Sequence, residues 1–202
     1  MNLIEPVSED AMVAVFLKSE YDSAKCSPDL KRSMKELQIE DSDLITSPDV
    51  SNESDNRVRA MLLGDYRGYR QDWQIFTGFP NNISWFTGEI EAQEIEDLHY
   101  VGYKYWDELS NNTHIVRDAV SNIRSGRTAC GISNDGLTAL ADHIVEHGYT
   151  FEPLILTKTD GDGHIAILEG HHRATALGLA GKRCPLAIPI IVGLVGQDSF
   201  VI

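Results

Sequence analysis

The sequence is poor in cysteine, poor in positive charge and free of long apolar runs, and each shortage closes off a class of function. Its three cysteines, Cys26, Cys130 and Cys184, are scattered, form no CxxC pair and keep no zinc-ligand spacing. They read as small core residues or bystanders rather than a secreted disulfide framework. Lys and Arg number 17 against 31 Asp and Glu, a formal net charge of -14. Binding to a nucleic-acid backbone draws on a basic footprint that releases counterions, so the balance argues against DNA as a partner. The apolar stretch from Leu186 to Val195 is broken by Pro189 and Gly193 and is too short to span a bilayer. The start, Met1-Asn2-Leu3-Ile4-Glu5-Pro6, lacks the basic residues of a signal peptide. A soluble, cytoplasmic protein without membrane attachment is expected, with homo-oligomerisation left open.

What is present suffices for a packed core: 202 residues, 42% of them hydrophobic. Charge is distributed unevenly. Residues 1–113 carry 10 basic and 22 acidic side chains, whereas 114–202 carry 7 and 9 together with six of the seven histidines. The division expected is a mostly helical acidic module over 1–112 and an α/β domain over 113–202, with anionic ligands assigned to the second.

In the acidic part, Ser8-Glu9-Asp10 before Ala11–Leu17 predicts a capped helix, and 29–37 a shorter one. Residues 40–55 read as a loop, and Val58, Met61 and Leu62 place a helix over about 56–69. Trp73, Phe76, Phe79, Trp85 and Phe86 are expected to form the module's core. Residues 89–110 read as one or two helices with Leu98, Val101, Tyr105 and Leu109 as a buried stripe. Asn56, Arg57, Arg59, Arg67, Gly68 and Arg70 form the one basic cluster of this half. It either selects a substrate or pairs with local carboxylates, and pairing is the commoner case.

Beyond Thr113 the pattern alternates. A helix is expected over 114–123, and a second from Asn134 or Asp135 as cap to His147, stopped by Gly148. Strands at 154–158 and 164–168 are joined by the hairpin-type turn Thr159-Asp160-Gly161-Asp162-Gly163. A helix follows Gly170, and Ala187–Val192 closes as a third strand. The strand-to-helix passage Glu169-Gly170-His171-His172-Arg173 carries the chemistry. Glycine lets backbone amides approach a ligand, and the first amides and dipole of the helix favour an anion there. Arg173 offers a fork matched to phosphate oxygens, while His171 and His172 can donate hydrogen bonds or carry protons. The plain alternative is a helix start with surface histidines.

Phe151-Glu152-Pro153-Leu154-Ile155-Leu156, Asp160-Gly161-Asp162-Gly163, Ile167 through Leu177, and Ile188-Pro189-Ile190-Ile191-Val192 together resemble the ParB/sulfiredoxin superfamily. Residues 137–148 are similar to the helix that precedes its first motif. The resemblance covers somewhat under half of the chain and does not reach 1–113. It implies a ParB/sulfiredoxin-like mixed-sheet core, an α/β (α+β) fold. Sulfiredoxins carry a nucleophilic cysteine where His171 stands, and Cys184 lies after the helix, which argues against their reductase chemistry. Partition ParB proteins prefer a Gly-Glu-Arg-Arg turn that binds CTP, followed by a basic helix-turn-helix. Only nine residues follow Gly193, so no such region is expected. The free L-serine kinases carry an acidic-Gly-His-His-Arg turn, nearest to this one.

The resemblance therefore implies a small-molecule kinase using ATP or ADP with Mg2+. Gly170, His171, His172 and Arg173 would bind the phosphate, and Glu169, His171 and His172 would be catalytic. Glu169 would be the metal ligand or orient the acceptor. By position rather than by the resemblance, Arg117 and Glu152 are candidate substrate-binding residues and Asp118, like Glu152, a candidate for orienting the hydroxyl, with a structural or solvated surface role the plain alternative for each. The alternative is a non-catalytic ParB-type nucleotide or nucleic-acid module.

Overall fold

The computed structural model describes residues 1–80, 82–158, 163–184 and 187–195. The fold is mixed α+β: among the described residues, nine α-helices accompany a six-stranded sheet containing parallel and antiparallel pairs. Compactness divides the chain into two units, Met1–Pro6 with Phe86–Ile202, and Val7–Trp85. The change of sequence texture at Thr113 falls inside the first of these.

The Val7–Trp85 unit is helical. Helix α1 (Glu9–Asp22) starts where the Ser8 hydroxyl accepts from the Ala11 amide. Helices α2 (Ser27–Glu36), α3 (Asp43–Thr46) and α4 (Glu53–Arg67) follow. The short α3 lies in the stretch read from sequence as a loop. Asn52 caps α4 by accepting from the Ser54 and Asp55 amides. Phe16, Leu17, Leu30, Ile45, Leu62, Leu63 and Phe76 are buried in the core. Phe76 packs on Phe16, Tyr69 and Phe79, but the expected aromatic core is corrected at two positions: Trp73 is 39% exposed, and Phe86 belongs to the other unit and packs on its core.

The sheet, most of which belongs to the other unit, has the order β1 (Asn2–Val7), β2 (Ile83–Glu91), β6 (Ala187–Val195), β4 (Leu154–Lys158), β5 (Ile165–Glu169), β3 (His99–Tyr100). β4 runs antiparallel to β5 and parallel to β6, and β3 runs parallel to β5. The predicted hairpin of β4 and β5 is present; residues 159–162 of its turn lie outside the described residues. β4 is buried from Leu154 to Thr157 and β6 from Ile190 to Leu194, so these stretches read as continuous apolar runs, whereas β6 alternates at its start with Ala187 and Pro189 exposed.

The helical expectation for 89–110 is corrected. That stretch ends β2, then forms α5 (Ala92–Ile95), β3 and α6 (Lys104–Leu109). Pairing decides it: His99 and Tyr100 align with Ala166 and Ile167, the Tyr100 amide bonds to the His114 carbonyl at 2.7 Å, and the Val116 amide to Leu98 at 3.0 Å. Leu98 and Leu109 are buried as expected, but by a chain that turns between them. The strands β1 and β2 were not foreseen either.

Helix α7 (Val116–Arg124) buries Val116, Ala119, Val120 and Ile123 on one face. Helix α8 (Asp135–His147) buries Leu137, Ala141 and Ile144 and stops at Gly148 with φ 78°. Asn134 occupies the N-cap position, yet its amide donates to the Arg127 carbonyl at 2.6 Å and makes no cap, a correction to its expected role. Both helices pack on α9 (His171–Ala180), which lies in the core through Ala174, Ala176 and Leu177. Gly178 permits the α7 approach: a Cβ there would stand 2.8 Å from Val120 Cγ2 and 3.3 Å from Val116 Cγ1. Arg124 then donates to the Gly178 and Leu179 carbonyls at 3.0 and 3.2 Å, satisfying the exposed end of α9. No helix among the described residues is long and apolar enough to cross a membrane.

Candidate functional site

The Glu169–Arg173 turn sits where β5 ends and α9 begins. Gly170 takes φ 102°, ψ 22°, a left-handed conformation that glycine adopts without a Cβ penalty. Space demands it too: a Cβ would lie 2.5 Å from Leu154 Cδ2 and 3.2 Å from Arg173 Nη2. Its carbonyl accepts from the Ala174 amide at 2.8 Å, closing the first turn. α9 has no side-chain cap and no acidic residue in that turn. First-turn amides have no acceptor within their own helix, and the dipole favours negative charge beside them.

Arg173 is 8% exposed, and its guanidinium faces inward. Nη2 donates to Glu169 Oε2, and Nη1 to the Glu152 carbonyl and, at 3.3 Å, to Tyr149 Oη. Tyr149 in turn donates to the Glu152 carbonyl at 2.8 Å. The arginine thereby ties the turn to the segment between α8 and β4. Burial opposes its charge, but the Glu169 carboxylate beside it prevails and holds the guanidinium protonated. Burial pushes the Tyr149 phenol up to about 12, so it remains a donor.

The two histidines diverge. His171 is half-buried, its ring nearly parallel to Tyr100 and Trp106 at centroid distances of 6.0 and 5.9 Å, with Tyr103 edge-on. His172 is exposed, 5.1 Å from Trp106 and stacked on Tyr105 at 6.5 Å. A hydroxyl relay fixes their helix turn. Thr175 Oγ1 spends its hydrogen on the His171 carbonyl at 2.8 Å, so Tyr100 Oη must be the donor in the 2.7 Å Tyr100–Thr175 bond. Burial raises the Tyr100 pKa, which keeps that phenol protonated.

The structure brings Glu169, Gly170, His171, His172, Arg173 and the Glu152 backbone together. Glu152 joins through its carbonyl. Arg117 lies on α7 and pairs with Asp97 and, at 3.9 Å, with Glu96. Asp118 stands in the first turn of the same helix. Of the basic cluster in 56–70, Arg57 pairs with Glu53, Arg67 with Glu20 and Arg70 with Glu9, while Arg59 is buried. The aromatic wall of Tyr100, Tyr103, Tyr105 and Trp106 was missed as a site element. The density of rings in Tyr103-Lys104-Tyr105-Trp106 is the signal that marks it.

For a cation, no group of three His, Cys, Asp or Glu is assembled among the described residues. The turn offers the single carboxylate of Glu169, already paired with Arg173. Magnesium commonly binds through one or two carboxylates with phosphate oxygens and water, so Glu169 fits that role only alongside a bound phosphate. Comparison with protein-family models, with curated proteins and with solved structures found no match to this chain.

Proposed function

We propose that residues 113–202 have a ParB/sulfiredoxin-like core and that the protein is a nucleotide-dependent phosphotransferase. It transfers a phosphoryl group from ATP or ADP to a small hydroxyl-bearing molecule. One observation carries this reading: α9 begins at a left-handed Gly170, without a side-chain cap or an acidic first turn, and with the buried Arg173 cation behind it.

In this reading the amides of 170–173 and the His171 and His172 rings hold the transferring phosphate. Arg173 contributes positive charge and, through Glu169, Tyr149 and the Glu152 carbonyl, the shape of the turn. The acceptor hydroxyl gives its proton to the exposed His172 imidazole as its oxygen bonds to the terminal phosphorus. The bond from that phosphorus to the bridging oxygen breaks, and the nucleotide leaves one phosphate shorter. Glu169, the carboxylate the turn offers, would hold Mg2+, which would neutralise charge on the phosphate oxygens.

Calorimetric titration with ATP, ADP and CTP in magnesium, on the wild type and a His172→Ala variant, tests it. Adenine-nucleotide binding that weakens in the variant, with phosphoryl transfer to small alcohols lost, is the expected result. Folded wild type that takes up no adenine nucleotide sinks the proposal, and uptake of CTP alone favours a ParB-type switch.

A further inference from the structure

A second candidate site lies in the Val7–Trp85 unit. A cavity of about 450 Å³ opens between the end of α2, α3 and the first turns of α4. That volume is in the range of ligand-binding pockets, roughly 300–1,000 Å³. Its walls are apolar: Leu37, Ile39, Leu44, Val58 and Met61, the last 48% exposed. Its rim is acidic, with Glu40, Asp41, Asp43 and Asp49 exposed and Asp55 half-buried.

One cation also lines the cavity. Arg59 is fully buried, and its Nη groups donate to the Leu44 carbonyl at 3.0 Å, the Asp49 carbonyl at 2.8 Å and Asn56 Oδ1. Its Nε has no hydrogen-bond partner among the described residues. None of these bonds reaches a carboxylate. Arg59 fastens the backbone at Leu44 and Asp49, on either side of Ile45-Thr46-Ser47-Pro48, and the carboxylates of Asp55 and Asp49 act on its charge without a hydrogen bond to it. Glu40, Asp41, Asp43, Asp49 and Asp55 line the same cavity, and a cation that settles among them relieves their repulsion. Half-buried apolar walls with Met61 exposed among them favour a ligand that also brings hydrocarbon.

We infer that this groove is a docking site for a basic amphipathic segment of a partner protein, apolar side chains on the walls and Lys or Arg at the rim. Charge complementarity selects that occupant. A bare metal ion is the weaker fit, since no three-ligand group is assembled there among the described residues.

The test is a fluorescence-anisotropy titration of the full chain with a dye-labelled synthetic Lys/Leu peptide of helical period. Glu40, Asp43 and Asp55 are suited to neutralisation, because Asp41 and Asp49 accept backbone hydrogen bonds of their own turns. Saturable binding that falls about tenfold in Glu40→Gln/Asp43→Asn/Asp55→Asn and several-fold in Met61→Ser is expected. A control of equal charge change, Glu89→Gln/Asp142→Asn/Glu146→Gln, should leave it within about twofold, since screening limits distant charges. Equal losses in the two triple variants would show attraction to net charge alone and overturn the inference. It is also overturned if spermidine displaces the peptide at matching concentration, or if the peptide does not bind.

Discussion

Arg173, in the first turn of α9, reaches back over Gly170 to the carboxylate of Glu169 at the end of β5, both side chains nearly buried. The pair is the fastening of the candidate site. Removing one partner strands a buried charge, which costs about 3–5 kcal/mol. Glu169→Gln is therefore expected to lose about 3 kcal/mol in urea unfolding, and Arg173→Met a similar amount. The double variant should lose clearly less than the two together. Strict additivity in that cycle would mean that the pair does not hold the turn.

Two glycines are set against hard neighbours. A Cβ on Gly88 would stand 2.5 Å from the Asn2 carbonyl oxygen, a backbone atom, and one on Gly178 2.8 Å from Val120 Cγ2. Gly88→Ala should free β1 and Gly178→Ala should push α7 from α9, each destabilising by roughly 1–3 kcal/mol. Amide hydrogen exchange separates them: faster exchange in residues 2–7 for the first and in 116–124 for the second. Unchanged exchange in both would contradict the packing.

Arg59 holds the carbonyls of Leu44 and Asp49 from inside the helical unit. Arg59→Met fills similar volume but leaves those part-buried acceptors without this donor. At about 1–3 kcal/mol for an unsatisfied group, a loss of at least about 2 kcal/mol is expected by thermal or urea unfolding. A neutral result would show that water serves the carbonyls equally well.

Burial raises the Cys184 thiol from 9.0 to about 11. A raised value means the folded chain keeps this proton while the unfolded chain releases it. The stabilisation is whole below pH 9 and is lost as pH climbs toward 11. Tyr149, raised from 10.0 to about 12, adds a loss between those two values that overlaps the upper part of the Cys184 range. The unfolding free energy should decline through this alkaline range, and Cys184→Ala should flatten the part between pH 9 and 11. An unchanged slope in the variant would refute the assignment.

Local pattern alone determined the elements whose signals are local. The Ser8 cap with its acidic first turn, the Gly148 stop, the apolar runs of β4 and β6 and the Gly170 break each fix backbone conformation within a few residues, so α1, α8, the hairpin strands and the start of α9 were legible. The tertiary structure decided whatever depends on a distant partner. His99 and Tyr100 become strand only because Ala166 and Ile167 offer an edge, and β1 lies far in sequence from every strand of its sheet. The inward turn of Arg173 was illegible for the same reason. Its partners Tyr149 and Glu152 lie more than twenty residues earlier in the chain, and no spacing rule records which side of a helix will meet them. Local sequence sets which conformations are cheap, whereas burial and pairing across the chain choose among them and decide where each side chain points.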